Sequence, residues 1–136
     1  MPGWPALLQK EGYELQPGAC PEEALEAAEG VLGLRFPDGL RSLYMVSDGV
    51  FDTVGQWFVI WPVGMLADQN TRLRNGGLLP SGPVIAFGDD GTGDVFCMKP
   101  GQQDVSCWHP IDGSMPQLAS DLAAFWRGWA DGTITT

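Results

Sequence analysis

A chain of 136 residues with 44% hydrophobic content is long enough for one domain, expected to span residues 1–136, and apolar enough for a core, which excludes a disordered tail. Seventeen acids against seven bases give a formal charge of −10. That sign argues against non-specific binding to nucleic acid or to anionic membranes, both polyanions, and favours either a partner with a basic surface or solubility alone.

The opening MPGWPALLQKEGYEL has no basic region, no continuous apolar stretch and no small-residue cleavage site, so no leader is expected. The longest mostly apolar run, Trp57 to Ala67, is too short to span a bilayer and contains Pro62 and Gly64. Three cysteines, an odd number without a secretory signal, point to the reducing cytosol. Residues 1–20 read as an irregular or short-helical lead-in, with Leu7, Leu8, Tyr13 and Leu15 available to pack.

The first clear helix is PEEALEAAEGVLG. Pro21 suits its first position, and Glu22 and Glu23 complement the N-terminal dipole. Leu25, Ala28 and Leu32 share one face, Glu22, Glu26 and Glu29 the other, and Gly30 or Gly33 ends it. A second helix starts at Pro37-Asp38, carries Leu40, Leu43 and Tyr44, and closes at Ser47-Asp48-Gly49.

The period then changes. Gln56-Trp57-Phe58-Val59-Ile60-Trp61 reads as a strand stopped by Pro62. A helical turn near Met65–Asp68 and a polar loop through Thr71–Gly77 follow. Further strands are expected at Val84–Phe87, Val95–Met98 and Val105–Trp108, with Pro100–Gln103 as a turn. Pro116 opens a last helix in which Leu118, Leu122, Phe125, Trp126 and Trp129 recur at helical spacing, and Gly132 ends it. The order implies an α+β domain: a mostly antiparallel sheet of about four to six strands, with two N-terminal helices and a C-terminal helix packed around it.

The stretch GDDGTGD, between two of these strands, is tested first as a metal loop. Asp90, Thr92 and Asp94 have the one-three-five spacing of a calcium loop, but its sixth position is Val95 and its twelfth Gly101, where glycine and glutamate are needed. No lysine or helix follows, so a phosphate loop fails as well, and a β-turn is the reading. Cys97, Cys107 and His109 could meet across a hairpin turning near Gln102, with Cys97 opposite Cys107. They lack C-x-x-C spacing and an evident fourth ligand, so small buried hydrophobes and a structural histidine are favoured over zinc. His109 is the only histidine, and no nucleophile motif accompanies it. No catalytic, cofactor-binding or metal-binding residue is assigned.

An ordered set of motifs nonetheless carries a resemblance. Val31-Leu32-Gly33-Leu34-Arg35-Phe36-Pro37-Asp38-Gly39-Leu40-Arg41-Ser42-Leu43-Tyr44, then Ser47-Asp48-Gly49, Trp61-Pro62, Ile85-Ala86-Phe87-Gly88, Asp90-Gly91-Thr92-Gly93-Asp94, Phe96-Cys97 and the helix Leu122–Trp129 resemble the SUKH superfamily, the Smi/Knr-like proteins, over about residues 20–130. The resemblance implies an α+β fold with a mostly antiparallel sheet. It implies either an immunity protein that binds and neutralises a bacterial toxin, often a nuclease or deaminase, or a regulatory protein-interaction module such as a fungal relative that controls cell-wall synthesis. It implies no catalytic residue. Pro37, Gly49, Gly88, Gly91, Gly93 and Asp94 look like scaffold positions. Gly39 departs from the pattern, which puts the regularity of its helix in question. For partner binding, the acidic residues Asp48, Asp52, Asp89, Asp90, Asp94 and Asp104 would meet a basic groove, with Trp57 and Trp61 as anchors.

Overall fold

A computed structural model describes residues 4–8, 10–15, 22–80 and 82–136, with only the backbone of Pro5. Among the described residues, five helices and seven strands follow one another as α1 (Trp4–Leu8), β1 (Tyr13–Leu15), α2 (Glu22–Leu32), α3 (Asp38–Tyr44), β2 (Val50–Asp52), β3 (Trp57–Ile60), α4 (Val63–Asn75), β4 (Ile85–Asp89), β5 (Val95–Met98), β6 (Val105–Trp108), β7 (Gln117–Ala119) and α5 (Leu122–Asp131). Every strand pairs antiparallel with its neighbours in sequence order, β1 through β7. The expected α+β class is correct.

The strand count is not: seven replace the expected four to six. The additions, β1, β2 and β7, have three residues each, too few to show an alternating pattern, and are held by their neighbours rather than by propensity. Two helix boundaries also differ. The stretch expected as a helical turn and polar loop is one helix, α4, running to Asn75 with Gly76 as its cap. Asp68, Thr71, Arg72 and Asn75 face solvent, and Arg74 donates to Leu32 C=O (3.2 Å) and Val84 C=O (3.1 Å), tying α4 to the end of α2 and the entry to β4. The last helix opens at Leu122 rather than Pro116. Asp121 caps it by accepting the Ala124 N–H (2.7 Å), while Leu118, four residues before Leu122, lies in β7.

In α2, Leu25, Ala28 and Leu32 are buried as their spacing requires; the expectation for Pro21 lies outside the described residues. Glu29, expected on the solvated face, instead accepts the Phe36 N–H (2.7 Å) and an Arg41 guanidinium bond, joining α2 to α3. Gly39 does not disrupt α3. A Cβ there would meet Leu122 Cβ at 3.6 Å, an ordinary van der Waals contact, so the helix is regular at this position and space alone does not require a glycine.

The core is aromatic around α5. Phe125 packs on Phe96 with ring centres 4.7 Å apart and on Phe87 at 5.9 Å, and Trp129 adds an edge contact to Phe96 at 5.2 Å. Gly88 in β4 is required by close approach, because a Cβ would overlap the Val59 carbonyl oxygen across the β3–β4 pair. That pair is short: Ile60 faces Gly88, and Trp61 N–H donates to Phe87 C=O (2.8 Å) before Pro62 turns the chain into α4. The next stretch of β4 is met by a side chain instead of a strand. Asn70, fully buried in α4, donates to Ala86 C=O (2.7 Å) and accepts from Ala86 N–H (2.9 Å). One amide thus satisfies both backbone groups, as a neighbouring strand would.

Candidate partner-binding groove

GDDGTGD is a hairpin tip. Asp90 N–H donates to Asp94 C=O (3.1 Å), and Gly91 and Gly93 take φ values of 86° and 106°, which a side chain would strain. Its three carboxylates serve different partners. Asp90 is buried: Oδ1 accepts the Thr92 N–H (2.9 Å) and hydroxyl (2.6 Å), and Oδ2 accepts the Thr136 hydroxyl (2.6 Å). Burial alone would raise its pKa, but these bonds hold it below the ordinary carboxylate range. Asp94 lies 2.7 Å from His109 Nδ1. Asp89 accepts Trp61 Nε1–H on Oδ1 (2.9 Å) and Gly91 N–H on Oδ2 (3.1 Å), while its carbonyl accepts Trp57 Nε1–H (3.0 Å). Burial dominates there, and with the Asp90 charge nearby it pushes the Asp89 pKa up despite the two bonds.

This bonding places Trp57, Trp61 and Asp89 in one open groove of about 440 Å³. Phe51 and Phe58 of the β2–β3 hairpin, in edge contact at 5.0 Å, form its sheet side. Met65, Gln69 and Leu73, one face of α4 at four-residue spacing, form the opposite wall. Gly93 and Val95 line it at the hairpin end. Trp61 is buried in the core, so it backs the groove rather than standing out as an anchor, whereas Phe51, Trp57, Phe58, Met65, Gln69, Leu73 and Asp89 are each half-buried, so the groove offers apolar and polarizable surface to solvent. A second cleft of similar size lies between Trp4, Ser42, Gln103 and Leu122. Its polar groups are partly committed, with Trp4 Nε1–H on the Ser42 hydroxyl (2.9 Å) and Asp121 capping α5, and no residue proposed for partner binding lines it.

The profile of the SMI1 / KNR4 family (SUKH-1) matches residues 19–128, most of the chain. The chain belongs to the SMI1 / KNR4 family. The SUKH resemblance read from the Pro37–Gly49 run and the hairpin motif is therefore correct. No curated protein matches the chain. No helix among the described residues is long and apolar enough to cross a membrane.

The remaining acidic candidates of this SMI1 / KNR4 domain do not line the groove. Asp48 accepts the Val63 N–H (2.8 Å) and so caps α4 from a distant loop. Asp52 accepts the Val54 and Gly55 N–H groups (2.8 and 2.9 Å) within the β2–β3 turn. Asp104 sits with Lys99, Ser106 and Met115 near the β5–β6 connection. Sequence reasoning left out Phe51, Phe58, Met65, Gln69 and Leu73 as contact residues. The four-residue spacing of the last three was the available signal, obscured once Thr71–Gly77 read as loop.

Cys97 and Cys107 do not face each other. Cys97 pairs with Ser106 and Phe96 with Cys107, so the ladder is centred between Gly101 and Gln102, half a residue earlier than expected. That offset sends the thiols to opposite faces of the sheet. Burial pushes both up to about 12, helped by the neighbouring thiol for Cys97 and by Asp90 and Asp94 for Cys107. Among the described residues, no group of three His, Cys, Asp or Glu side chains is placed to hold a metal ion.

Proposed function

We propose that this chain is a non-enzymatic immunity protein of the cytosol that neutralises a cognate protein toxin, a nuclease fitting its charge best, by covering the toxin's working surface. The observation that carries this reading is the groove, where half-buried aromatic and methionine side chains surround a carboxylate. Those are the residue types that dominate protein–protein hot spots. The charge of −10 steers a basic partner toward the surface, and the groove then anchors it. A pKa near 12 keeps the Cys97 and Cys107 thiols protonated, which supports a binding role over a thiolate chemistry. Family membership supports it further.

The test is co-expression with the product of a neighbouring toxin-like gene. Growth rescue and co-purification are expected, with both lost in Gln69→Lys, which places a like charge in the groove facing a basic partner. Failure of the wild-type chain to rescue and to co-purify would sink the reading. Stable capture of a non-toxic partner would replace it with a regulatory interaction module.

A further inference from the structure

We propose that the groove is built around one arginine side chain of the partner, with Asp89 as its counter-ion. The proposal rests on the protein-binding reading above and adds the chemistry of the anchor.

Asp89 is the carboxylate that lines the groove, and its bonding leaves a particular shape for a ligand. Each oxygen accepts one protein donor, Trp61 Nε1–H on Oδ1 and Gly91 N–H on Oδ2. An ionised carboxylate has about four lone-pair sites, so one acceptor position stays open on each oxygen. Two open acceptors side by side match the paired N–H groups of a guanidinium fork, whereas an ammonium presents a single point charge. The surroundings make the same selection. Trp57, Phe51 and Phe58 are flat, half-buried π surfaces on which a planar cation stacks, and Met65 and Leu73 give apolar cover for its methylene stem.

The electrostatics are unbalanced in the free protein. The described carboxylate pairs are Arg41 with Glu22 and Glu29, and His109 with Asp94; none of them reaches Asp89. Asp89 instead holds a desolvated charge beside the buried Asp90 carboxylate, balanced by neutral donors alone. A guanidinium entering the groove would supply the missing countercharge. This gives the acidic bias of the chain a local purpose: the long-range field brings a basic surface close, and Asp89 selects which cation seats.

The experiment is a titration of the ¹⁵N-labelled full chain with acetyl-Gly-Arg-Gly-amide at millimolar concentration, alongside peptides carrying citrulline or lysine in place of arginine. Saturable shifts are expected at Trp57 Nε1–H and Gly91 N–H with the arginine peptide. The uncharged citrulline peptide should bind at least about tenfold more weakly, with lysine between them. Asp89→Asn should weaken arginine binding to the citrulline level. Gln69→Lys, which keeps Asp89 and its bonds, should abolish it; a native-like spectrum for either variant separates loss of binding from loss of fold. Equal response to arginine and citrulline, shifts confined to other acidic sites, or no saturable shift would overturn the proposal. Growth rescue without arginine binding would leave immunity standing and remove this anchor. Arginine binding without rescue would keep the anchor and remove the toxin.

Discussion

Replacing Asn70 with alanine tests the physical account of the fold most directly, because one side chain stands in for a missing strand. Its amide donates to Ala86 C=O (2.7 Å) and to Leu66 C=O (2.8 Å), and its oxygen accepts from Ala86 N–H (2.9 Å), all fully buried. In Asn70→Ala, both backbone groups of Ala86 lose their partner where water cannot replace it. An unsatisfied buried group costs about 1–3 kcal/mol, so with a small cavity the total is about 3–5 kcal/mol. Against a domain stability of about 5–15 kcal/mol, that is a large fraction. Urea unfolding followed by tryptophan fluorescence reads the change; with a slope of about 1–3 kcal/mol per molar, the midpoint falls by about 2 M. Asn70→Asp should be no better at neutral pH, since a carboxylate accepts from Ala86 N–H but offers nothing to the two carbonyls. Thr71→Ala is the control: its exposed hydroxyl returns only to Ala67 C=O (3.0 Å), and the change should stay within about 0.5 kcal/mol. An Asn70→Ala loss under about 1 kcal/mol would refute the strand-substitute reasoning.

Other consequences are equally direct. Gly88→Ala forces a methyl into the Val59 carbonyl, so it should split β3 from β4 and cost about 3 kcal/mol or more, seen as a lowered melting temperature with altered Trp61 emission; an unchanged melting temperature would contradict the close approach. Cys97 and Cys107, with pKa values near 12 from burial, should resist a thiol reagent until the chain unfolds; fast labelling of either in the native state, located by mass spectrometry, would show the sheet to be open there. Glu29 and Asp90 are both held below the ordinary carboxylate range, burial opposing and hydrogen bonds from Arg41 and Phe36, or from Thr136 and Thr92, prevailing. Their stabilisation is therefore complete above that range and lost as the pH falls through their lowered folded values, whereas Asp89, raised by burial, works in the opposite sense. Glu29→Gln and Asp90→Asn should accordingly be less stable than wild type at neutral pH and converge with it on acidification; a gap that persists in acid would reject this linkage.

Much of the architecture was legible where local chemistry and tertiary packing ask for the same residues. The α2 stripe of Leu25, Ala28 and Leu32 is buried, the long aromatic and β-branched runs form strands, and GDDGTGD turns because glycine tolerates positive φ. The same motifs, in order, were enough to point to the SMI1 / KNR4 family. Legibility failed where a structure is short or borrowed. Leu118 matched the helical period of α5 but lies in β7, since period alone cannot place a start that the Asp121 cap decides. Thr71–Asn75 read as loop because the last turn of α4 is polar and exposed apart from Leu73.

The groove shows the division most clearly. Composition and charge alone establish an acidic chain with an unusual supply of tryptophan. They treat the carboxylates of the hairpin as equivalent. Only the tertiary structure separates them: Asp90 turns inward to Thr92 and Thr136, Asp94 to His109, and Asp89 lines the groove beside Trp57 and Trp61. The reason is physical. A side chain's identity sets what it can bond, but its exposure and the donors already around it depend on residues 28 to 46 positions away, as from Trp61 to Asp89 and from Asp90 to Thr136, which come together only once the sheet has formed.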